Sequence, residues 1–195
     1  MITSLQVWDS RWFFWLNHSL QNPVLDWLMP RVSELGSGGF VWLFAAFGLA
    51  LFGKGNGRKM AFLGMLALLI AWFFGNELLK SWFARPRPFL TLADVRLLVD
   101  KPGDFSFPSG HTTISFAPAV AFYRKDKAIG VAALFLAGII GFSRIYVGVH
   151  YPLDVVGGAV VGTGAGLLVS GFESMIDRSA LRLNILARYV KDKTR

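Results

Sequence analysis

Three short polar segments stand out in an apolar chain, because their residue types suit chemistry on a phosphate group. The first contains a lysine and two Arg-Pro pairs, the second a Ser-Gly-His run, and the third an arginine, a histidine and an aspartate. They are Lys80–Pro88, Phe107–His111 and Ser143–Asp154. Ionisable residues are costly to keep beside membrane-spanning segments, so a cluster of them indicates a function.

The cations of these segments suit an anion with two or three negative charges. Lys80 is a point charge, whereas Arg87 and Arg144 can each donate two parallel hydrogen bonds to a phosphate. Ser109 and Gly110 precede a predicted helix, whose first backbone N–H groups can bind an anion at close approach. These five residues therefore predict a phosphate-binding site.

Two histidines and an aspartate supply the remaining chemistry. Phosphoryl transfer to an enzyme needs a nucleophile and an acid for the leaving oxygen. If Pro152 begins a helix, Asp154 lies close enough to hold one imidazole N–H of His150 and to fix its tautomer. We predict that His150 attacks phosphorus and that His111 protonates the leaving group. Because lysine and arginine already supply positive charge, we expect neither a metal ion nor another cofactor.

The composition indicates how these residues are held. The chain has 195 residues, of which 54% are hydrophobic and 16% charged, against about 25% charged in a typical soluble domain. It has no cysteine, which excludes disulfides and thiolate metal sites. A disordered chain is excluded, and a water-soluble globule is disfavoured because so small a protein cannot bury this much apolar surface. We predict an integral membrane protein.

Five apolar segments approach the length of about 20 residues that a helix needs to cross a bilayer. They are Val32–Gly53, Lys59–Phe83, His111–Tyr123, Lys127–Tyr146 and Leu153–Phe172. The third reaches span length when it begins near Pro108. Residues 1–30 mix tryptophans with polar residues, which is typical of an amphipathic helix at the membrane interface. The predicted fold is an all-α polytopic bundle of five to six spans with an N-terminal interfacial helix.

The chain is predicted to form a single membrane domain over residues 1–195. Within it we expect the interfacial helix at 1–30, an outward loop at 84–108 and a basic cytoplasmic tail at 177–195. If successive spans cross the membrane in alternating directions, residues 54–59, 124–127 and the tail lie on one side, which holds 12 of the 20 lysines and arginines. Because lysine and arginine are enriched in cytoplasmic loops, we expect that side to be cytoplasmic. The three polar segments then face the exterior. The basic residues form short clusters between apolar runs, so we expect membrane lipids as partners and no nucleic acid.

Two other features near these segments have structural interpretations. Arg85 belongs to an Arg-Pro pair whose spacing from Lys80 is two residues shorter than that of Arg87, and we expect a rim charge or a headgroup contact. The last span carries several glycines, which favour close helix packing in lipid. We expect packing roles for Gly157, Gly158, Gly162, Gly164 and Gly166.

The three segments resemble the signature of the type 2 phosphatidic acid phosphatase (PAP2) superfamily. That signature is K-x6-R-P, P-S-G-H and S-R-x5-H-x3-D, and every fixed position matches in order between Lys80 and Asp154. The resemblance implies a helical membrane bundle and a metal-independent phosphatase with a phosphohistidine intermediate. It gives the catalytic roles to His150, His111 and Asp154. It gives phosphate binding to Lys80, Arg87, Ser109, Gly110 and Arg144.

The expected substrate is a lipid phosphate, with undecaprenyl diphosphate preferred. Phosphatidylglycerol phosphate, phosphatidic acid and the 1-phosphate of lipid A remain alternatives, as does phosphate transfer to a second lipid. Vanadium-dependent haloperoxidases share the site architecture, but they are soluble and larger. A lipid or anion transporter is disfavoured, because the charges cluster at one membrane face and transporters bind near the midplane.

Overall fold

The computed structural model describes residues 4–193, and the side chains of 4–175 and 177. Its nine α-helices are α1 (Ser4–Phe14), α2 (Pro23–Leu35), α3 (Phe40–Phe52), α4 (Gly57–Trp72), α5 (Lys80–Phe83), α6 (Pro88–Thr91), α7 (Gly110–Lys125), α8 (Lys127–Tyr146) and α9 (Pro152–Lys193). Trp15–Ser19 and Phe73–Leu79 are π-helical, and Ser37–Gly39 is a 3-10 turn. Throughout the described residues regular structure is helical, which confirms the all-α class.

Within the part of the chain that the structure describes, three stretches are long and apolar enough to cross a membrane: Gly57–Thr91, Lys127–Tyr146 and Pro152–Met175. Helices α2 and α3 meet at a bend of 52°, and together they would form a fourth span if the bent pair crosses the membrane as one unit. The predicted helix that follows the Ser-Gly-His segment is α7, which has 16 residues. The count of five to six spans stays a prediction.

The structure divides the N-terminal region, predicted as one interfacial helix, into α1 and α2. Asn22 is extended and its side chain accepts a hydrogen bond from the Leu25 N–H at 2.9 Å, so it caps α2. Pro23 follows it at the first helical position, where its missing N–H is tolerated. A residue before proline is disfavoured in the α conformation, so the helix breaks here. The interfacial location of the region stays a prediction.

Helix α7 is the central helix of the bundle and packs against α4, α8 and α9. Its Ile114 and Phe122 join a core with Trp42 and Ile140. The indole Nε1 of Trp42 donates to Ser115 Oγ at 3.0 Å, which satisfies two buried polar groups. This packing fixes the first turn of α7, which carries the Ser-Gly-His segment.

Glycines let the backbones of α9 and α7 approach closely. A Cβ atom on Gly158 would lie 2.7 Å from the carbonyl oxygen of Ser109. A Cβ atom on Gly162 would lie 2.4 Å from the carbonyl oxygen of Thr113, and one on Gly166 would lie 2.6 Å from that of Ala117. A Cβ on Gly157 would meet the Phe107 ring at 2.3 Å. The predicted packing role is confirmed at these four glycines and is wrong at Gly164, where a Cβ would meet nothing within 4 Å.

An ion cluster joins the helices at the opposite end of the bundle. Glu173 on α9 pairs with Lys59 on α4 and with Lys125 on α7, and Lys59 also contacts Asp177 at 2.8 Å. Beyond this cluster the predicted basic tail, 177–195, lies outside the described side chains apart from Asp177.

Candidate active site

The N-terminal end of α7 faces a cavity of about 360 Å³ that collects most of the predicted site residues. Its polar lining includes residues from α5, α7, α8 and the π-helix Phe73–Leu79 and from the loops between helices: Asn76, Lys80, Arg87, Asp104, Gly110, His111, Arg144 and His150. Its apolar lining comes from Leu68 and Trp72 on α4 and Ile114 on α7. Ser109 and Asp154 are fully buried beside it. All eight residues predicted from the sequence are therefore brought together.

The turn that begins α7 is tightly held. Ser109 occupies the N-cap position of α7. Its backbone N–H donates to the Asp154 carbonyl at 2.9 Å, and its hydroxyl accepts from Thr112 Oγ1 at 2.9 Å. Gly110 follows, where a Cβ would come within 2.4 Å of Asn76 Oδ1. The π-helical segment Phe73–Leu79 carries Asn76, so a glycine is needed where this segment crosses α7.

Arg87 is almost fully buried and makes contacts with all three of its nitrogens. Nε donates to the Asp104 carbonyl at 2.8 Å, and Nη2 donates to Asp104 Oδ1 at 2.5 Å. Nη1 donates to the Val149 carbonyl at 2.8 Å and lies 3.2 Å from Nε2 of His150. The guanidinium thus bridges the loop before α7 and the predicted nucleophile.

Asp104 was not predicted from the sequence, because it belongs to no motif. Its carboxylate pairs with Lys80 as well as with Arg87. Burial opposes its ionisation, but the hydrogen bonds and charges of Lys80 and Arg87 outweigh that effect and lower the pKa of Asp104 to about 2. Two of the predicted phosphate-binding cations therefore already hold an anionic group.

His150 and Asp154 face each other at the start of α9, which begins at Pro152 as predicted. Nδ1 of His150 lies 3.5 Å from Asp154 Oδ2, and the two side chains are 1% and 0% exposed. Nδ1 makes no hydrogen bond to the carboxylate at this separation, and Oδ2 accepts hydrogen bonds from Ser106 Oγ and, at 2.9 Å, from the Tyr151 N–H. Burial and the charges of Arg87, Arg144 and Lys80 lower the pKa of His150 well below 6.5. Its imidazole is therefore neutral at physiological pH.

Arg144 and His111 lie where the first cavity meets a second one. The second cavity is about 1000 Å³, is open to the surface, and is lined by Arg31, Glu34 and Asp100 as well as by this pair. Arg144 is buried and its Nη1 donates to the hydroxyl of Ser33 on α2, a partner that no motif indicated. The arrangement gives the two residues access to both cavities.

The prediction that Arg85 is a rim charge is wrong. Its Nη1 donates to Asp154 Oδ1 at 2.6 Å, and its Nη2 donates to Asp9 Oδ2 at 2.6 Å. Ala84 takes a left-handed conformation at φ 42°, and the Arg85 carbonyl accepts from the Ser106 N–H at 2.8 Å. These backbone features turn the side chain inward instead of toward the surface.

Among the described residues, no group of three His, Cys, Asp or Glu side chains is arranged as metal ligands. The charge in the cavity comes instead from lysine and arginine side chains.

Comparisons with known proteins agree with the motifs. A family model described as the PAP2 superfamily matches residues 58–177. Undecaprenyl-diphosphatase BcrC of Bacillus subtilis (strain 168) is 34% identical over 159 residues, which cover 81% of this chain and 80% of that protein.

Two solved structures share the fold. Aquifex aeolicus LpxE matches with a TM-score of 0.71 and 31% identity, over 82% of this chain and 92% of that chain. The transmembrane PAP2-type phosphatidylglycerolphosphate phosphatase from Bacillus subtilis matches with a TM-score of 0.69 and 28% identity, over 89% and 88%.

Proposed function

This chain belongs to the PAP2 superfamily and is a membrane-bound lipid phosphatase, and we propose that it hydrolyses undecaprenyl diphosphate through a phosphohistidine. One observation carries the proposed mechanism. Nε2 of a neutral His150 lies 3.2 Å from Arg87 in the cavity that Lys80 and Arg144 also line, while Asp154 lies 3.5 Å from its Nδ1. This geometry suits attack on a bound phosphate.

In the first step the lone pair of His150 Nε2 attacks the terminal phosphorus. The bond between that phosphorus and its bridging oxygen breaks, and His111 donates a proton to this oxygen. The products are a lipid monophosphate and a phosphohistidine. Asp154 stabilises the positive charge that develops on the imidazole and holds the proton on Nδ1, as the third member of a serine-protease triad does.

In the second step a water molecule attacks the phosphohistidine. Neutral His111 takes the proton of the water, the nitrogen–phosphorus bond breaks, and inorganic phosphate leaves. His150 and protonated His111 are thereby restored. Throughout both steps Lys80, Arg87 and Arg144 balance the charge that develops on the phosphate oxygens.

The two cavities support a lipid substrate and hydrolysis. The smaller one combines the cations with Leu68, Trp72 and Ile114, so a phosphate and the start of an apolar chain fit side by side. The larger, open one reaches His111 and Arg144, which gives water a route to the phosphohistidine. The identity to BcrC favours undecaprenyl diphosphate, and the likeness to the phosphatidylglycerolphosphate phosphatase makes phosphatidylglycerol phosphate the second candidate.

The decisive experiment is phosphate release by the purified protein in detergent with excess EDTA. The panel contains undecaprenyl diphosphate, phosphatidylglycerol phosphate, phosphatidic acid and lipid A 1-phosphate. We expect release with EDTA present, fastest from undecaprenyl diphosphate, and none from His150→Ala. His18→Ala is the matched control, because His18 lies on the π-helix Trp15–Ser19 outside the site.

Each other outcome has a distinct meaning. Release that EDTA abolishes would contradict the metal-free mechanism. Phosphate recovered on an added lipid acceptor instead of as free ion would indicate transfer. No release from any lipid, with transport activity retained by His150→Ala, would indicate a transporter.

We also propose that the active site faces the exterior of the cell. The distribution of lysine and arginine along the sequence supports this orientation. Because the chain has no cysteine, one introduced thiol reports sidedness without background. A membrane-impermeant maleimide should label Gly103→Cys in intact cells and should leave Lys54→Cys unlabelled; the reverse pattern would place the site inside.

A further inference from the structure

We propose that Arg85 and Asp9 are positioning residues for the reaction, so that the N-terminal helix α1 completes the active site. The inference rests on the proposed role of Asp154 as the partner of His150. It assigns a function to two residues outside the three motifs, one of them in the region predicted to be an interfacial helix.

Arg85 acts on Asp154 directly. Its Nη1 donates to Oδ1 at 2.6 Å, whereas Oδ2 is the oxygen that lies 3.5 Å from Nδ1 of His150. The guanidinium also stacks on the Tyr151 ring, with Cζ 4.1 Å from the ring centroid. With Oδ1 held by Arg85, the carboxylate keeps Oδ2 turned toward the imidazole.

Asp9 holds the other side of the same guanidinium. Its side chain is fully buried, and its Oδ2 accepts from Arg85 Nη2 at 2.6 Å. Its Oδ1 accepts from the backbone N–H of Leu153 at 2.9 Å. That N–H belongs to the first turn of α9, where helix N–H groups lack partners within the helix. Asp9 therefore fixes both the arginine and the turn that carries Asp154.

The charges of the three groups explain why they occur together. Two buried carboxylates near each other would each resist ionisation, and one guanidinium between them reduces the cost of ionising both. If Asp9 were neutral, the full charge of Arg85 would act on Asp154 and would weaken its stabilisation of a cationic imidazole. The arrangement therefore affects the chemical step more than the binding of the phosphate.

A role in fastening α1 to the bundle is the competing interpretation, and a second ion pair in the chain serves as its control. Asp26 on α2 pairs with Arg96 and accepts from Tyr146 Oη at 2.5 Å, so it also joins the N-terminal region to the rest of the bundle. It makes no contact with His150 or Asp154. Asp26→Asn thus removes an ion pair of the N-terminal region outside the site, although the Asp26 side chain is 31% exposed and that of Asp9 is fully buried.

The test compares kcat and KM for phosphate release by wild type, Asp9→Asn, Arg85→Gln and Asp26→Asn. In Asp9→Asn the amide oxygen of the new side chain can still accept the hydrogen bond of the Leu153 N–H, so the substitution removes mainly the charge. We expect kcat to fall about tenfold or more in Asp9→Asn and Arg85→Gln, with KM within about twofold of wild type. Asp26→Asn should keep the wild-type kcat.

Two further variants distinguish a positioning role of Asp9 and Arg85 in the reaction from a role in holding α1 on the bundle. Residues that act as one unit have non-additive effects, so the Asp9→Asn/Arg85→Gln double variant should be no slower than the slower single variant. Arg85→Lys should recover part of the kcat lost in Arg85→Gln, because an ammonium group keeps the positive charge but lacks the rigid planar fork with which the guanidinium holds Asp154 and Asp9. If Asp9→Asn does not fold, the comparison of Arg85→Lys with Arg85→Gln decides.

Asp154→Asn distinguishes failure of this inference from failure of the proposed function. If wild type releases no phosphate, or Asp154→Asn keeps full activity, the proposed function is wrong. If Asp154→Asn is inactive while Asp9→Asn and Arg85→Gln keep the wild-type kcat, the positioning role is overturned. It is also overturned if their loss of kcat matches that of Asp26→Asn.

Discussion

The carboxylate of Asp104 lies against Arg87, with Oδ1 2.5 Å from Nη2, and its other oxygen contacts Lys80. It therefore holds the same donors that the proposed mechanism assigns to a substrate phosphate. Since the pKa of Asp104 is about 2, this carboxylate is ionised at every pH at which the enzyme would be assayed. A phosphate that enters the cavity must displace it.

We expect Asp104→Asn to bind phosphate more tightly, because a neutral amide competes less for the two cations. The inhibition constant for inorganic phosphate and the KM should each fall by about threefold to tenfold. This range corresponds to a part of the ~1.5–3 kcal/mol that a hydrogen bond to a charged group contributes. The measurement is competitive inhibition of phosphate release. Asp94→Asn, in the same loop and exposed, should change neither value. Weaker phosphate binding in Asp104→Asn would mean instead that the carboxylate orients the cations.

The lowered pKa of His150 predicts the acid side of the pH profile. A group whose pKa is lowered keeps its neutral form as the pH falls past 6.5, so the nucleophile remains active in mild acid. The profile of kcat, which reports groups in the enzyme–substrate complex, should be bell-shaped, and the acid midpoint of kcat/KM should lie below 6.5. Rates measured from about pH 4 to about pH 9 test this expectation. A midpoint above 6.5, or a flat profile, would contradict paired histidine catalysis by His150 and His111.

Removal of the Ser33 hydroxyl should weaken substrate binding. Ser33 accepts from Nη1 of buried Arg144, and a lost hydrogen bond to a charged group is worth ~1.5–3 kcal/mol. We expect KM to rise by about tenfold in Ser33→Ala with kcat less affected, since the guanidinium loses its orientation but keeps its charge. Ser37→Ala, which lines the same larger cavity, is the control. An unchanged KM in Ser33→Ala would show that other contacts orient Arg144.

Replacing either of two glycines on α9 by alanine should change the stability of the fold, in opposite directions. A Cβ at Gly162 would lie 2.4 Å from the Thr113 carbonyl, so Gly162→Ala must push α9 from α7 at a cost of ~1–3 kcal/mol. Gly164→Ala meets no neighbour and should stabilise the helix by ~1 kcal/mol. Thermal unfolding in detergent should give a lower Tm for the first variant and an equal or higher Tm for the second. Equal Tm values would mean that the two helices separate without cost.

That the residues of the three motifs lie together could be predicted from the sequence, because each motif is short and lies at a helix end. Lys80, His111 and His150 meet once α4, α7 and α9 are packed side by side. Asp104 and Arg85 were missed or misassigned, because their positions depend on how the loop of residues 84–108 folds back. Asp9 lies 144 residues from its partner Leu153, a separation over which no local pattern carries information.

The limits on predicting the spans have a similar physical cause. The segment of α7 looked apolar but short, and its central position lets it bury Thr112, Thr113 and Ser115 against other helices instead of lipid. The break before α2 depends on the cap by Asn22, a polar residue that looked like one more interruption in an amphipathic pattern.

The bond from Asp9 to Leu153 has a consequence for biogenesis. A ribosome makes α1 first and the start of α9 more than a hundred residues later, so the two halves of this contact enter the membrane at different times. Until the last hydrophobic segment is inserted, Asp9 and Arg85 lack the turn that they hold. The contact that joins α1 to the first turn of α9 therefore forms only after α9 has begun to be made, although α1 is synthesised first.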